Sequence, residues 1–162
     1  MSKTLKRLLL AASMCCLVAT ANAAPMDEAW TAYSKRDYKE AMKWYKLAAA
    51  QGDAQAQYWI GAMYYRGRGV IQDYKEAVRW YRLAAEQGDA QAQYWIGAMY
   101  YRGHGFTRDH IRAHMWFNLS SSAGHAPGTE IRDQIAEGMT PQQIEKAQDM
   151  ARACQARNFK GC

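Results

Sequence analysis

The chain lacks most of the features that would assign a function at sight. No apolar run beyond residue 23 is long enough to cross a bilayer, so no membrane span is expected. No segment combines period-two alternation with β-branched residues, so no strand is expected and the chain reads as all-α. There is no Ser-x-x-Lys tetrad to pair a serine nucleophile with its base. "RGRGV" at 66–70 lacks the Lys-Ser/Thr ending of a phosphate loop. Basic residues form no dense stripe, although 21 Lys and Arg against 15 Asp and Glu give a formal net charge of +6. Nucleic acid is therefore not an expected partner.

Cysteine is scarce too, and half of it lies in a segment read as transient. In "MSKTLKRLLLAASMCCLVATANA", Lys3, Lys6 and Arg7 precede an apolar run from Leu8 to Val18, which closes on Ala21-Asn22-Ala23. This pattern is that of a secretory signal peptide, and its apolar run is too short to span a membrane. Ser13 and Met14 are poor company for a lipidated Cys15 or Cys16, so lipidation is not expected. Cleavage after Ala23 would remove three basic residues and cut the net charge to +3. The expected location is periplasmic or secreted. Cys154 and Cys162 remain, an even pair in an exported chain and hence an expected disulfide. It closes a short loop, so its entropic contribution is modest. Its expected role is to pin "CQARNFKGC" to the end of the last helix.

What the chain does have is repetition. "LAAAQGDAQAQYWIGAMYYRG" (Leu47 to Gly67) returns as "LAAEQGDAQAQYWIGAMYYRG" (Leu83 to Gly103), with only Ala50 and Glu86 differing. A fixed period of 36 residues implies stacked supersecondary units. Each unit reads as two helices. The first, "DAQAQYWIGAMYYR", follows an Asp53 or Asp89 N-cap and stops at Gly67 or Gly103. The second begins at Asp73, where Glu76 completes a capping-box pattern. Asp37 and Glu40 repeat that pattern earlier in the chain. The first half-unit, "MDEAWTAYSKR", lacks the Gly-x-Gly loop, and the third drifts through "RDHIRAHMWFNLSSSAGHAPG" into "TEIRDQIAEG". Thr140, Pro141 and Gln143 open a closing helix. The organisation is a signal peptide over 1–23, a partial repeat over 24–57, repeats over 58–93 and 94–127, and capping helices and tail over 128–162.

These residues resemble the Sel-1-like repeat, a relative of the tetratricopeptide repeat with a longer loop between its helices. Ile60, Gly61, Tyr64, Gly67, Gly69, Asp73, Ala77, Trp80, Tyr81, Ala84 and Gly88 all fall in register with its signature. "MWFN" followed by "MTPQQIEKAQ" is similar to a C-terminal cap of bacterial members. The resemblance implies a right-handed α-solenoid of stacked helix-turn-helix repeats with a C-terminal capping helix. It implies an adaptor that holds a protein or peptide on its concave face, without catalysis or cofactor, and acting as a monomer. Some cysteine-rich exported members are linked to β-lactam binding and hydrolysis, which makes an envelope enzyme the alternative. Ser120, Ser121 and Ser122 have no nearby Lys to support it.

The informative positions are those that packing is expected to leave free. Gln55, Trp59, Ala62 and Arg66 form one helical stripe away from the Ile60–Tyr64 core face, and Gln91, Trp95, Ala98 and Arg102 copy it. Tryptophan and arginine carry much of the binding energy in interfaces. The stripe is thus the candidate partner site, for a segment with apolar and acidic residues. The competing reading has Trp59 and Trp95 packing between adjacent repeats. His110 and His114 stand at i, i+4, a metal-clamping spacing, but no third ligand is evident and no metal is expected.

Overall fold

The computed structural model describes residues 25–162, so the signal-peptide reading of residues 1–23 lies outside the described residues. Helix α1 covers residues 25–34. It is followed by α2 (Tyr38–Ala50), α3 (Ala54–Arg66), α4 (Tyr74–Ala85), α5 (Ala90–Arg102), α6 (His110–Ser122), α7 (Ala126–Ala136) and α8 (Pro141–Ala156). No strand occurs among the described residues. Odd-numbered helices up to α5 are the first helices of their units and even-numbered ones the second, stacked in chain order as an α-solenoid.

Aspartate starts the helices. Asp37, Asp53, Asp73, Asp89 and Asp109 each accept a backbone N–H from the first turn of the helix that follows. The expected capping boxes at Glu40 and Glu76 are only half formed. Those glutamates turn forward to Lys43 and Arg79 instead of back to the cap, because an exposed cation one turn on competes for the carboxylate. Arg112, which replaces the equivalent Glu, holds Asp109 through its backbone N–H and its guanidinium, so that cap survives. The Thr140–Gln143 box forms in full. Helix α7 starts at Ala126, three residues before the expected "TEIRDQIAEG", because Pro127 suits the first turn of a helix.

Glycines set how closely the helices approach. A Cβ on Gly61 would lie 2.8 Å from the Tyr81 ring, and one on Gly97 would lie 3.1 Å from Phe117, so each ring of a second helix packs on a bare first-helix backbone. The Gly-x-Gly loop does more than end a helix. Gly67 and Gly103 close α3 and α5 in the left-handed conformation. The second glycine, Gly69 or Gly105, rests on the tyrosine that opens the preceding unit's second helix. A Cβ there would meet the Tyr38 backbone at 2.6 Å or the Tyr74 carbonyl at 2.9 Å.

Two apolar clusters result. One joins α1, α2 and α3 around Tyr45, Ile60 and Met63; the other runs from α3 to α8 around Tyr81, Ile96, Met99, Trp116 and Phe117. Trp59 and Tyr64 touch both clusters. At the far end α7 and α8 both cover α6, burying Leu119, whereas its counterparts Leu47 and Leu83 stay exposed. The Cys154–Cys162 disulfide forms as expected. It also reaches further than the helix end, since it holds the Phe159 ring 3.6 Å from where a Cβ on Gly88 would sit, at the α4–α5 turn.

Replacing Gly69 or Gly105 by Ala combines a left-handed φ of 72° or 74° with a backbone clash. Each should lower unfolding free energy by about 2 kcal/mol or more. Gly52→Ala has a similar φ but open space around it, and should cost only about 1 kcal/mol. Urea denaturation of the three variants checks the ranking.

Candidate functional site

The two stripe tryptophans are placed by the units before them. Trp59 stacks on Tyr45 of α2 at 6.1 Å and meets Trp30 and Tyr33 of α1 at 5.5 and 5.1 Å. Trp95 repeats the arrangement one unit on. It stacks on Tyr81 of α4 at 6.2 Å, with Tyr65 at 5.0 Å and the Arg66 guanidinium 5.1 Å from its ring. Both indoles therefore pack between units, and both remain half-buried with one part facing outward. The packing reading of these residues holds, and it leaves part of each ring accessible.

Ala62 and Ala98 do not belong to the free stripe. They are 1% and 3% exposed and sit in the core. A first helix inside a stack has its own partner helix on one side and neighbouring units on two others. Its open face is accordingly narrower than that of an isolated amphipathic helix. Gln55, Gln91, Arg66 and Arg102 are exposed. Arg66 folds back along its own helix to the Ala62 carbonyl at 3.4 Å, and Arg102 reaches across to the Tyr65 hydroxyl of α3 at 3.4 Å.

Three of the stripe residues come together. Gln55, Trp59 and Gln91 line an open cleft of about 360 Å³ whose other wall is Met26, Asp27 and Trp30 of α1. Trp30 is 55% exposed, so the cleft presents an accessible indole. The α1 wall was absent from the stripe because "MDEAWTAYSKR" reads as a deviant end unit. Its signal was the tryptophan itself, at a position where the repeats keep alanine.

A second cleft, of about 330 Å³, lies at the C-terminal end of α5 and is lined by Tyr101, Arg102, His104, Arg108 and His110. His110 and His114 lie in different surroundings. His110 is exposed against Tyr101, His114 is 3% exposed in the core, and no group of three or more metal-ligating side chains occurs among the described residues.

The family model described as "Sel1 repeat" matches residues 32–53, 54–89 and 90–125, which is more than half of the chain. The chain belongs to the Sel1 repeat family. Its fold is shared by a protective antigen of uropathogenic Escherichia coli strains that displays an SLR fold, at 29% identity and a TM-score of 0.77. That match covers 85% of this chain and 31% of the antigen. A Sel1 repeat protein from Oxalobacter formigenes matches at 36% identity and a TM-score of 0.55, over 56% of this chain and 26% of that one. Helicobacter pylori cysteine rich protein B has the same fold at 20% identity and a TM-score of 0.54, covering 57% of this chain and 69% of that one. The chain thus spans about a third or less of the first two relatives. The comparison with curated sequences returns no match.

Within this Sel1 repeat chain the serine hydroxyls of α6 are held in hydrogen bonds. Ser120 is buried and donates to the Ala90 carbonyl at 2.7 Å, Ser121 pairs with Thr129 at 2.6 Å, and Ser122 donates to the Leu119 carbonyl at 2.8 Å. Such repeats generally build non-catalytic scaffolds, and no observation here supports the β-lactam alternative. No helix among the described residues is long and apolar enough to cross a membrane.

Burial holds the His114 pKa below the ordinary histidine range, with nearby Arg132 acting the same way and Asp133 opposing. Burial does the same to His125. The folded state refuses protons that the unfolded chain accepts near its pKa of about 6.5, so stability falls as pH drops from 7 towards 5.5. The urea midpoint should show that fall. It should be shallower in His114→Val, which installs the residue found at the equivalent position 78.

Proposed function

We propose that this protein is an exported scaffold that binds a polypeptide segment along the face made by its first helices, α1, α3 and α5. The observation that carries the reading is the cleft in which those three successive helices each supply residues around Trp30 and Trp59. An apolar side chain seated between the indoles would bury large aromatic area with little loss of side-chain freedom. Gln55 and Gln91 flank the cleft with amides that both donate and accept, which suits the alternating N–H and C=O groups of an extended backbone.

Arg66 and Trp95 continue the surface one unit further, and Arg102 lies beyond them. These cations favour acidic residues in the bound segment, since a guanidinium pairs bidentately with a carboxylate. Export is supported by the Cys154–Cys162 disulfide, which persists in oxidising compartments, and by the apolar segment Leu8 to Val18 with basic residues before it.

Residue-specific photocrosslinking in cells tests the site. Crosslinkers at Gln55 and Gln91, both exposed at the cleft, should capture a discrete protein product. Crosslinkers at Lys46 and Arg79, exposed on second helices, should not capture it. Equal capture from all four positions, or none from the cleft, contradicts the reading.

A further inference from the structure

Each Gly-x-Gly loop packs its central side chain on a pair of touching rings of the preceding unit. Arg68 lies 5.6 Å from the Tyr33 ring and 5.4 Å from Tyr38, and it donates to the Tyr33 hydroxyl. His104 stacks on Tyr74 at 4.4 Å, and its Nδ1 is 3.1 Å from the Tyr65 hydroxyl. The receiving rings have a constant spacing: Tyr33–Tyr38 at 5.2 Å and Tyr65–Tyr74 at 5.3 Å.

The chain builds this receptor a third time. Tyr101 and His110, each 36 residues after Tyr65 and Tyr74, hold their rings 5.3 Å apart. The connection that follows, residues 137–140, contains no Gly-x-Gly, and Gly138 approaches only the Ile135 carbonyl of its own helix. Among the described residues no further ring or cation packs on this pair, Tyr101 is 42% exposed, and the second cleft opens there.

The third receptor carries His110 where the other two carry Tyr38 and Tyr74, and its Arg108 stands where the first has Arg36 and the second Gln72. Arg66 sits over Trp95, but the residue 36 positions after Trp95 is Ile131, so the matching Arg102 has no indole to cover. His104 reaches the same cleft from the loop. No acidic side chain lines it. The nearby Asp109 is already engaged as the α6 cap and by Arg112. A carboxylate in the cleft would have the guanidinium groups of Arg102 and Arg108 to pair with.

We propose that Tyr101, Arg102, Arg108 and His110 form a docking site for a turn of a partner polypeptide carrying a Glu or Asp side chain. The proposal rests on the protein-binding reading above but uses a separate surface. The occupant is a peptide turn because the two filled receptors each receive one. Its charge is negative because two arginines and two histidines line the cleft and no acidic side chain does.

NMR titration of the isotope-labelled protein with head-to-tail cyclised hexapeptides presenting Gly-Glu-Gly, Gly-Gln-Gly or Gly-Arg-Gly tests this. The Glu peptide should shift Tyr101, Arg108 and His110 resonances saturably and bind at least tenfold more tightly than the other two. The double variant Arg108→Gln/His110→Tyr installs the residues of the second receptor, so its melting should match the parent. It should lose the Glu peptide at least tenfold. Equal response to the Glu and Gln peptides, shifts confined elsewhere, or unchanged Glu binding by the double variant overturns the proposal. Tighter binding of inorganic phosphate than of the Glu peptide overturns the peptide assignment. Because the titration reads α5–α6 and the crosslinks read Gln55 and Gln91, either reading can fail while the other stands.

Discussion

The docking of each Gly-x-Gly loop on the unit before it is the contact on which the rest of the stack depends. A helix pair has one apolar face more than it can bury alone, so every unit needs a neighbour held in fixed register. Gly69 and Gly105 provide that register by bringing loop backbone against Tyr38 and Tyr74 at distances no Cβ permits. The side chain between the glycines then locks into a tyrosine pair. The stripe tryptophans are placed by the same registration. Trp59 lies on Tyr45 and Trp95 on Tyr81 because consecutive units advance by a constant step.

This coupling places residues of the proposed binding face among those that hold the stack together. An indole that stacks on the preceding unit by one part and faces outward by another is rigid before any partner arrives. Binding then loses little side-chain freedom at that position. The ends of the stack carry the variation. At the front, Trp30 stands at the edge of a cleft; at the back, α7 and α8 replace a further unit, bury α6 and, among the described residues, leave the Tyr101–His110 ring pair without a loop side chain on it.

Much of the fold is legible in the residues. A repeat copied over 21 positions with one change fixes the period, and the aspartate caps and stop glycines then mark the helix ends. Less legible was whatever depends on neighbours outside a single unit. Ala62 and Ala98 look free on a helical wheel, yet they are buried because adjacent units flank the first helix. Glu40 and Glu76 spell capping boxes, yet Lys43 and Arg79 one turn later take their carboxylates. Trp30 escaped the site because its half-unit joins α2 through a short connection, out of phase with the 36-residue copy. The disulfide is legible as a pairing, but its reach to the α4–α5 turn through Phe159 is a property of the stack.

Native-state hydrogen exchange on Arg68→Ala tests the coupling most directly. The side chain contributes a cation–π contact and a hydrogen bond to Tyr33, together worth about 1.5 kcal/mol. If loop docking holds the units in register, amides of α2 will exchange roughly tenfold faster while those of α6 keep their protection. Unchanged exchange in α2, or an equal acceleration in α2 and α6, would contradict it.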